Sequence, residues 1–306
     1  MRLPPYLPSG YFFIGLISAL LVLVIAAAGV TIFVLTHHSP KPDTVVLFPD
    51  SLVFDESALE AKSAIIYDPA NNRILFAKNI NTQLPLASIT KLMTATIVLQ
   101  KKSTATLIRI TAEDLRAEGD WGLRAGDVVS LSDLLRLGLV ASSNDAMAAA
   151  AASLGSDYLK VMNLTAVNLG LTQTYFLNPT GLDVNQGTSG GYGSAYDVAR
   201  LAALFYKQHP EFFERTMQAS VSIHASGRVV TARATATPLG AIPGFIGAKT
   251  GYTDLAGGNL VALFDAEVGH PLVAVVLGSS EKGRFDDMKK LVRTARDTDA
   301  ATHTLE

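Results

Sequence analysis

The sequence predicts an α/β domain: a mainly antiparallel sheet built from both ends of the domain, an all-helical insert between about residues 92 and 240, and an N-terminal transmembrane helix ahead of them. Three observations carry this. Short β-like runs, "KSAIIYD" at 62–68 and "RILFAK" at 73–78, open the domain, and "GNLVALFD" and "PLVAVVLGS" come near its end. Between them, apolar residues recur at helical spacing. Before all of them, residues 11–35 form an uncharged apolar run.

Each element has a local cause. The run at 11–35 would span roughly 37 Å as a helix, enough to cross a bilayer core of about 30 Å. A cleaved signal peptide is the competing reading, since "AAAG" at 26–29 offers small residues, but the run continues to Leu35. Residues 1–10 are then a short cytoplasmic end, and 36–50, with prolines at 40, 42 and 49, a linker. The domain proper covers 51–297, with a tail at 298–306. "PANN" between the first two β-like runs makes them a hairpin. A helix is expected to open at Ser88. "DVVSLSDLLRLGLVASSNDAMAAAAASL", "SDYLKVMNLTAVNLGL" and "AYDVARLAALFYKQH" are expected helices with Ser and Asp as starting caps. Residues 183–194 form a Gly-rich loop, "RFDDMKKLVRTARD" an amphipathic closing helix, and Trp121 a loop aromatic.

Composition narrows the function. A formal charge of −2 and a pI near 6.3 give no basic field for nucleic acid. The chain has no cysteine, which removes disulfides, thiolate metal sites and a Cys nucleophile. Its six histidines fall in no metal-ligand spacing.

The chemistry begins in "LPLASITKLMTA", where Ser88 stands three residues before Lys91. A serine needs an adjacent base, and lysine is one only when neutral, which an apolar setting favours. Alone, the pair is better read as a helix cap and a solvated lysine, and Ser279 with Lys282 repeats the spacing. Two further stretches, each unique in the chain, change this. Ser142-x-Asn144 offers a proton relay and a side-chain amide. Lys249-Thr250-Gly251 offers charge and a hydroxyl for a carboxylate, and a glycine that permits close approach of a ligand. In this order the three motifs match the active-site set of serine penicillin-binding proteins and β-lactamases.

The resemblance extends through "LRAGDVVSLSDLLRLGLVASSNDA", "FLNPTGLD", "SAYDVARLA", "GAKTGYTDLAGGNLVA" and "KGRFDDMKKLV", over about residues 51–297. It is to D-alanyl-D-alanine carboxypeptidases of the low-molecular-mass penicillin-binding class. That resemblance implies a serine β-lactamase/DD-peptidase-like fold and removal of the terminal D-alanine from peptidoglycan stem pentapeptides. It implies Ser88 as nucleophile, Lys91 as base, and Ser142 as proton donor to the leaving group. Backbone N–H groups of Ser88 and Tyr252 would form the oxyanion hole. Asn144 would position substrate, and Lys249, Thr250 and Arg284 would meet its carboxylate. β-Lactam antibiotics would inhibit. It implies no metal and no cofactor. The N-terminal helix would tether the chain to the cell membrane in a single pass, with the catalytic domain extracytoplasmic. Oligomeric state is open. Tyr252 and Thr180 stand where relatives often carry histidine. The chain ends at Glu306, so it is expected to lack the C-terminal β domain and amphipathic helix of many relatives. The alternatives are a peptidoglycan DD-endopeptidase, a β-lactamase and an inactive wall-binding module. No E-x-x-L-N lies between the second and third motifs, which disfavours a class A β-lactamase.

Overall fold

The structure is a computed structural model that describes residues 56–303 apart from 120, 240, 241 and 243. In chain order its strands are β1 (Ser63–Asp68), β2 (Arg73–Lys78), β3 (Leu84–Pro85), β4 (Leu107–Arg109), β5 (Val128–Ser130), β6 (Tyr175–Phe176) and β7 (Gly191–Gly193). Then come β8 (Ser220–Ala225), β9 (Arg228–Arg233), β10 (Phe245–Thr253), β11 (Gly257–Glu267) and β12 (His270–Ser279). The helices are α1 (Lys91–Lys101), α2 (Leu131–Val140), α3 (Asn144–Ala152), α4 (Tyr158–Asn168), α5 (Ala195–Gln208), α6 (Pro210–Glu214) and α7 (Gly283–His303).

The main sheet runs β10-β11-β12-β1-β2, and every neighbouring pair is antiparallel. β1 is buried along its whole length because both faces of the sheet are covered. Successive strand side chains point to opposite faces. Ala64 and Ile66 join Leu260, Ala262, Ala274 and Val276 in one core with Met288, Leu291 and Val292 of α7. On the other face Tyr67 meets Tyr196 of α5 edge-on at 5.9 Å. Each buried aliphatic or aromatic side chain contributes about 1.5–3 kcal/mol over its exposed state, so these two layers dominate the stability.

One buried carboxylate ties the sheet to α7. Asp287, 1% exposed, accepts from the Glu60 and Ala61 N–H groups and from the Ser279 hydroxyl. Asp287→Ala strands these donors in the core. Urea denaturation of that variant is expected to show a loss of about 3 kcal/mol.

The transmembrane helix expected at 11–35 is a correction. No helix among the described residues is long and apolar enough to cross a membrane, and residues 11–35 lie outside the described ones. The longest described helix, α7, carries acidic and basic side chains throughout. Each such charge would cost about 2.5–3.5 kcal/mol at a bilayer centre. The described residues form a mixed α/β fold with no transmembrane helix among them. The membrane as a partner and the single-pass location are withdrawn with it.

The insert is also not all-helical. It contains β4 to β9, including the β8-β9 hairpin. Burial there alternates residue by residue, the period-2 signature of a strand pair. Three helices of the insert, α2, α3 and α5, begin at serine caps, Ser130, Ser143 and Ser194, each accepting from the N–H three residues on.

Candidate active site

Ser88 does not open an α-helix. It lies in a 3-10 turn, Ala87–Thr90, and α1 begins at Lys91. No side-chain cap bond is made there, so the capping role for Ser88 falls away. A 3-10 turn has about three residues per turn and stacks positions i and i+3. It brings Lys91 Nζ to 2.7 Å from Ser88 Oγ. Ser88 is half-buried, whereas Lys91 is fully enclosed.

The lysine has two more partners, Asn144 Oδ1 at 2.7 Å and the Thr180 carbonyl at 2.8 Å. Burial holds its pKa well below the ordinary lysine value, and the positive charge of Lys249 lowers it further. A neutral amine has two N–H donors and one lone pair. Asn144 and Thr180 can take both donors, leaving the lone pair for the Ser88 hydroxyl proton.

Glycines make this turn fit. A Cβ at Gly181, whose φ is +82°, would fall 1.8 Å from the Ala87 carbonyl oxygen. A Cβ at Gly251 would lie 2.9 Å from the Leu86 carbonyl oxygen and 3.2 Å from the Ser88 nitrogen. Gly251 was expected to admit a ligand; its first effect is to let β10 pack against the turn that carries the serine. Asn178 shapes the other wall, accepting from Thr180 and Gly181 N–H and donating to the Leu182 carbonyl.

The other two motifs converge from the insert and the sheet. Ser142 sits between α2 and α3 with φ +61°, the left-handed region that a non-glycine residue rarely adopts. Lys249 Nζ donates to Ser142 Oγ at 2.9 Å and to the Thr250 carbonyl at 2.8 Å. Burial, with the nearby Arg284 charge, pushes the Lys249 pKa down to about 7. An anion arriving there would favour the charged form. The Thr250 and Thr235 hydroxyls are 2.6 Å apart, so one donates to the other. Arg284 donates Nη1 to the Gly251 carbonyl at 2.7 Å and stacks on Phe285. Burial lowers its pKa, while Glu281 and Tyr252 oppose that shift. Tyr252 is exposed at the rim.

Asn144 is held at both ends. Its Oδ1 faces Lys91, and its Nδ2 donates to the Glu118 carbonyl at 2.6 Å, so both ends of the amide are occupied. The repeat of the first motif is structural: the Ser279 hydroxyl is committed to Asp287, and Lys282 is exposed. Sequence reasoning missed the Thr180 and Glu118 carbonyls, Asn178 and Thr235. A carbonyl leaves no residue-type signal, and "NPTG" marks only a turn. Among the described residues, no cluster of three or more His, Cys, Asp or Glu could hold a metal ion.

A buried amine against a serine, with a second serine–lysine pair beside it, is an arrangement suited to acyl transfer. The family follows from comparison: the chain belongs to the D-alanyl-D-alanine carboxypeptidase family, whose model matches residues 51–281. It is 32% identical over 255 residues to the D-alanyl-D-alanine carboxypeptidase DacD of Escherichia coli, covering 77% of this chain and 63% of the relative. It is 33% identical over 156 residues to a D-alanyl-D-alanine endopeptidase of Pseudomonas aeruginosa, covering 48% of this chain and 47% of that one. The match thus spans less than two thirds of the length of these curated relatives. Among solved structures, penicillin-binding protein D2 from Listeria monocytogenes in its ampicillin-bound form superimposes with a TM-score of 0.69 at 30% identity, covering 78% of this chain and 98% of that one.

Proposed function

We propose that the chain is a serine D-Ala-D-Ala carboxypeptidase, with residues 51–297 as its catalytic domain and peptidoglycan stem pentapeptides as substrate. One observation carries this reading: a fully buried Lys91 amine 2.7 Å from Ser88 Oγ, with its remaining donors matched. Lys91 takes the Ser88 proton as Oγ attacks the carbonyl of the penultimate D-alanine. The Ser88 and Tyr252 N–H groups hold the oxyanion, a charge that develops only in the transition state. Ser142, bonded to Lys249, passes a proton to the departing amine. D-Alanine leaves, and water hydrolyses the Ser88 ester. Lys249 and Thr250 meet the substrate carboxylate. Arg284 adds charge there and fixes the strand through Gly251. Asn144 orients Lys91 and turns its amide to substrate once Glu118 yields. β-Lactams acylate Ser88 by the same route.

Fluorescent penicillin is expected to label the wild type and not Ser88→Ala, alongside D-alanine release from a pentapeptide by the wild type alone. Equal labelling of the two proteins would refute the nucleophile. The base must be neutral, so acylation should speed up as pH rises through the depressed Lys91 pKa and slow as acid protonates it. Stopped-flow acylation across pH checks the sign; a rate that falls with rising pH contradicts the base.

A second reading, a DD-endopeptidase acting on cross-linked peptides, is favoured by the similarity to the Pseudomonas endopeptidase and by a cavity along β9, a strand that leads to Thr235, the hydroxyl partner of Thr250.

A further inference from the structure

That cavity, of about 610 Å³, lies between residues 121–124 and β9. Among the described residues β9 pairs with β8 alone, which leaves its other edge without a strand. The hairpin closes at Ser226-Gly227, both with positive φ, in a tight two-residue turn. Arg228 is therefore hydrogen-bonded across to Ala225, and Ala234 N–H donates to the Ala219 carbonyl in the same phase. In an antiparallel pair this phase alternates. Val229, Thr231 and Arg233 consequently aim their N–H and C=O groups away from β8, towards the cavity. None of these groups has a main-chain partner on that side among the described residues. Thr235, next in the series, donates its N–H to the Val140 carbonyl and ends the open edge.

The described residues that line it include Arg124, Arg228 and Arg233 and no acidic side chain. Asp127 neutralises Arg228. Arg124 and Arg233 are exposed and form no ion pair among the described residues. Residues flanking both walls of the cavity contact the catalytic residues, although none of the catalytic residues lines it. Thr235, two residues past Arg233, bonds Thr250. At the other end the Trp121 indole N–H is buried without a hydrogen-bond partner. A Cβ built on Gly119 would lie 3.3 Å from that nitrogen and 3.6 Å from Asn144 Nδ2.

We infer that this cavity receives the leaving-side peptide of a cross-linked substrate, an extended, carboxylate-bearing peptide that adds to the free edge of β9 as a third strand. The inference rests on the proposed reading in which Lys249 and Thr250 mark the leaving end of the scissile bond. Main-chain bonds to a sheet edge supply affinity for any extended peptide. Arg124 and Arg233 select carboxylates by charge-assisted bonds. A free D-alanine leaving group ends at the Lys249 carboxylate site and reaches neither. A second peptide joined through the scissile bond runs on past Thr235 along the strand.

Trp121 is the only tryptophan in the chain, so its fluorescence reports on this cavity. The experiment titrates the full chain with a cross-linked stem-peptide dimer and with the uncross-linked pentapeptide. The dimer is expected to bind about tenfold tighter, the gain of one good charged contact. The double variant Arg124→Gln/Arg233→Gln should bring the dimer to the level of the pentapeptide. So should Thr231→Pro, which removes an outward N–H and keeps the main-chain ladder to β8, giving up only the exposed hydroxyl bond to Ser222. D-Alanine release from the pentapeptide should change less than about twofold in either. A wild type that binds both ligands equally overturns the inference, as do variants that weaken both ligands alike. Absence of D-alanine release with the dimer preference intact refutes the serine reading and leaves the peptide site standing.

Discussion

Lys91→Arg is expected to lower the rate of Ser88 acylation by about 10⁴-fold, the upper range for losing a general base. The guanidinium cannot deprotonate within a protein, so it has no lone pair for the serine proton. It would also place a permanent charge in a pocket that already disfavours the lysine's own charge. Time-resolved labelling with fluorescent penicillin measures the loss, and circular dichroism separates it from misfolding. Retained labelling at a wild-type rate would remove Lys91 from the mechanism. Lys91→Ala in parallel separates the two effects: it deletes the base without adding charge, so it should lose acylation while stressing the fold less.

Gly181→Ala tests the architecture rather than the chemistry. The new methyl group would fall 1.8 Å from the Ala87 carbonyl oxygen and 2.8 Å from Thr90 Oγ1, on a backbone with φ +82°. Neither neighbour can yield without moving the turn that holds Ser88. Left-handed strain costs about 1–2 kcal/mol, and forced overpacking about 1–3 kcal/mol more. Thermal denaturation should show a loss of about 3 kcal/mol. A displacement of the nucleophile by about 1 Å should cut acylation roughly 100-fold even in the folded fraction. A variant with wild-type stability and rate would mean that the loop does not brace the serine.

The motifs were legible because each is a short run of residue types with a chemical purpose. The strands β11 and β12 were legible from their apolar runs, and α2, α3 and α5 from periodicity and serine caps. The β8-β9 hairpin was not recognised, although "SVSIHASGRVVTAR" alternates, because it sits among strong helical signals. The 3-10 turn at Ser88 was read as part of α1, since the two helix types share apolar spacing over so short a stretch. Asn144 was assigned to substrate from its amide alone. That its two ends are taken by Lys91 and Glu118 is a matter of which loops fold over it, 26 and 53 residues away in sequence.

By itself, the sequence singled out Ser88 with Lys91, Ser142 with Asn144, and Lys249 to Gly251 as the candidate site, because such candidates depend on functional groups and on their order. Only the tertiary structure decided whether the base could be neutral. That depends on complete burial of Lys91, on two acceptors from distant segments, and on the second lysine nearby. The tertiary structure likewise left β9 paired on one edge only among the described residues, with arginines lining the cavity at the other, since strand pairing is a property of neighbours and not of the strand's own residues.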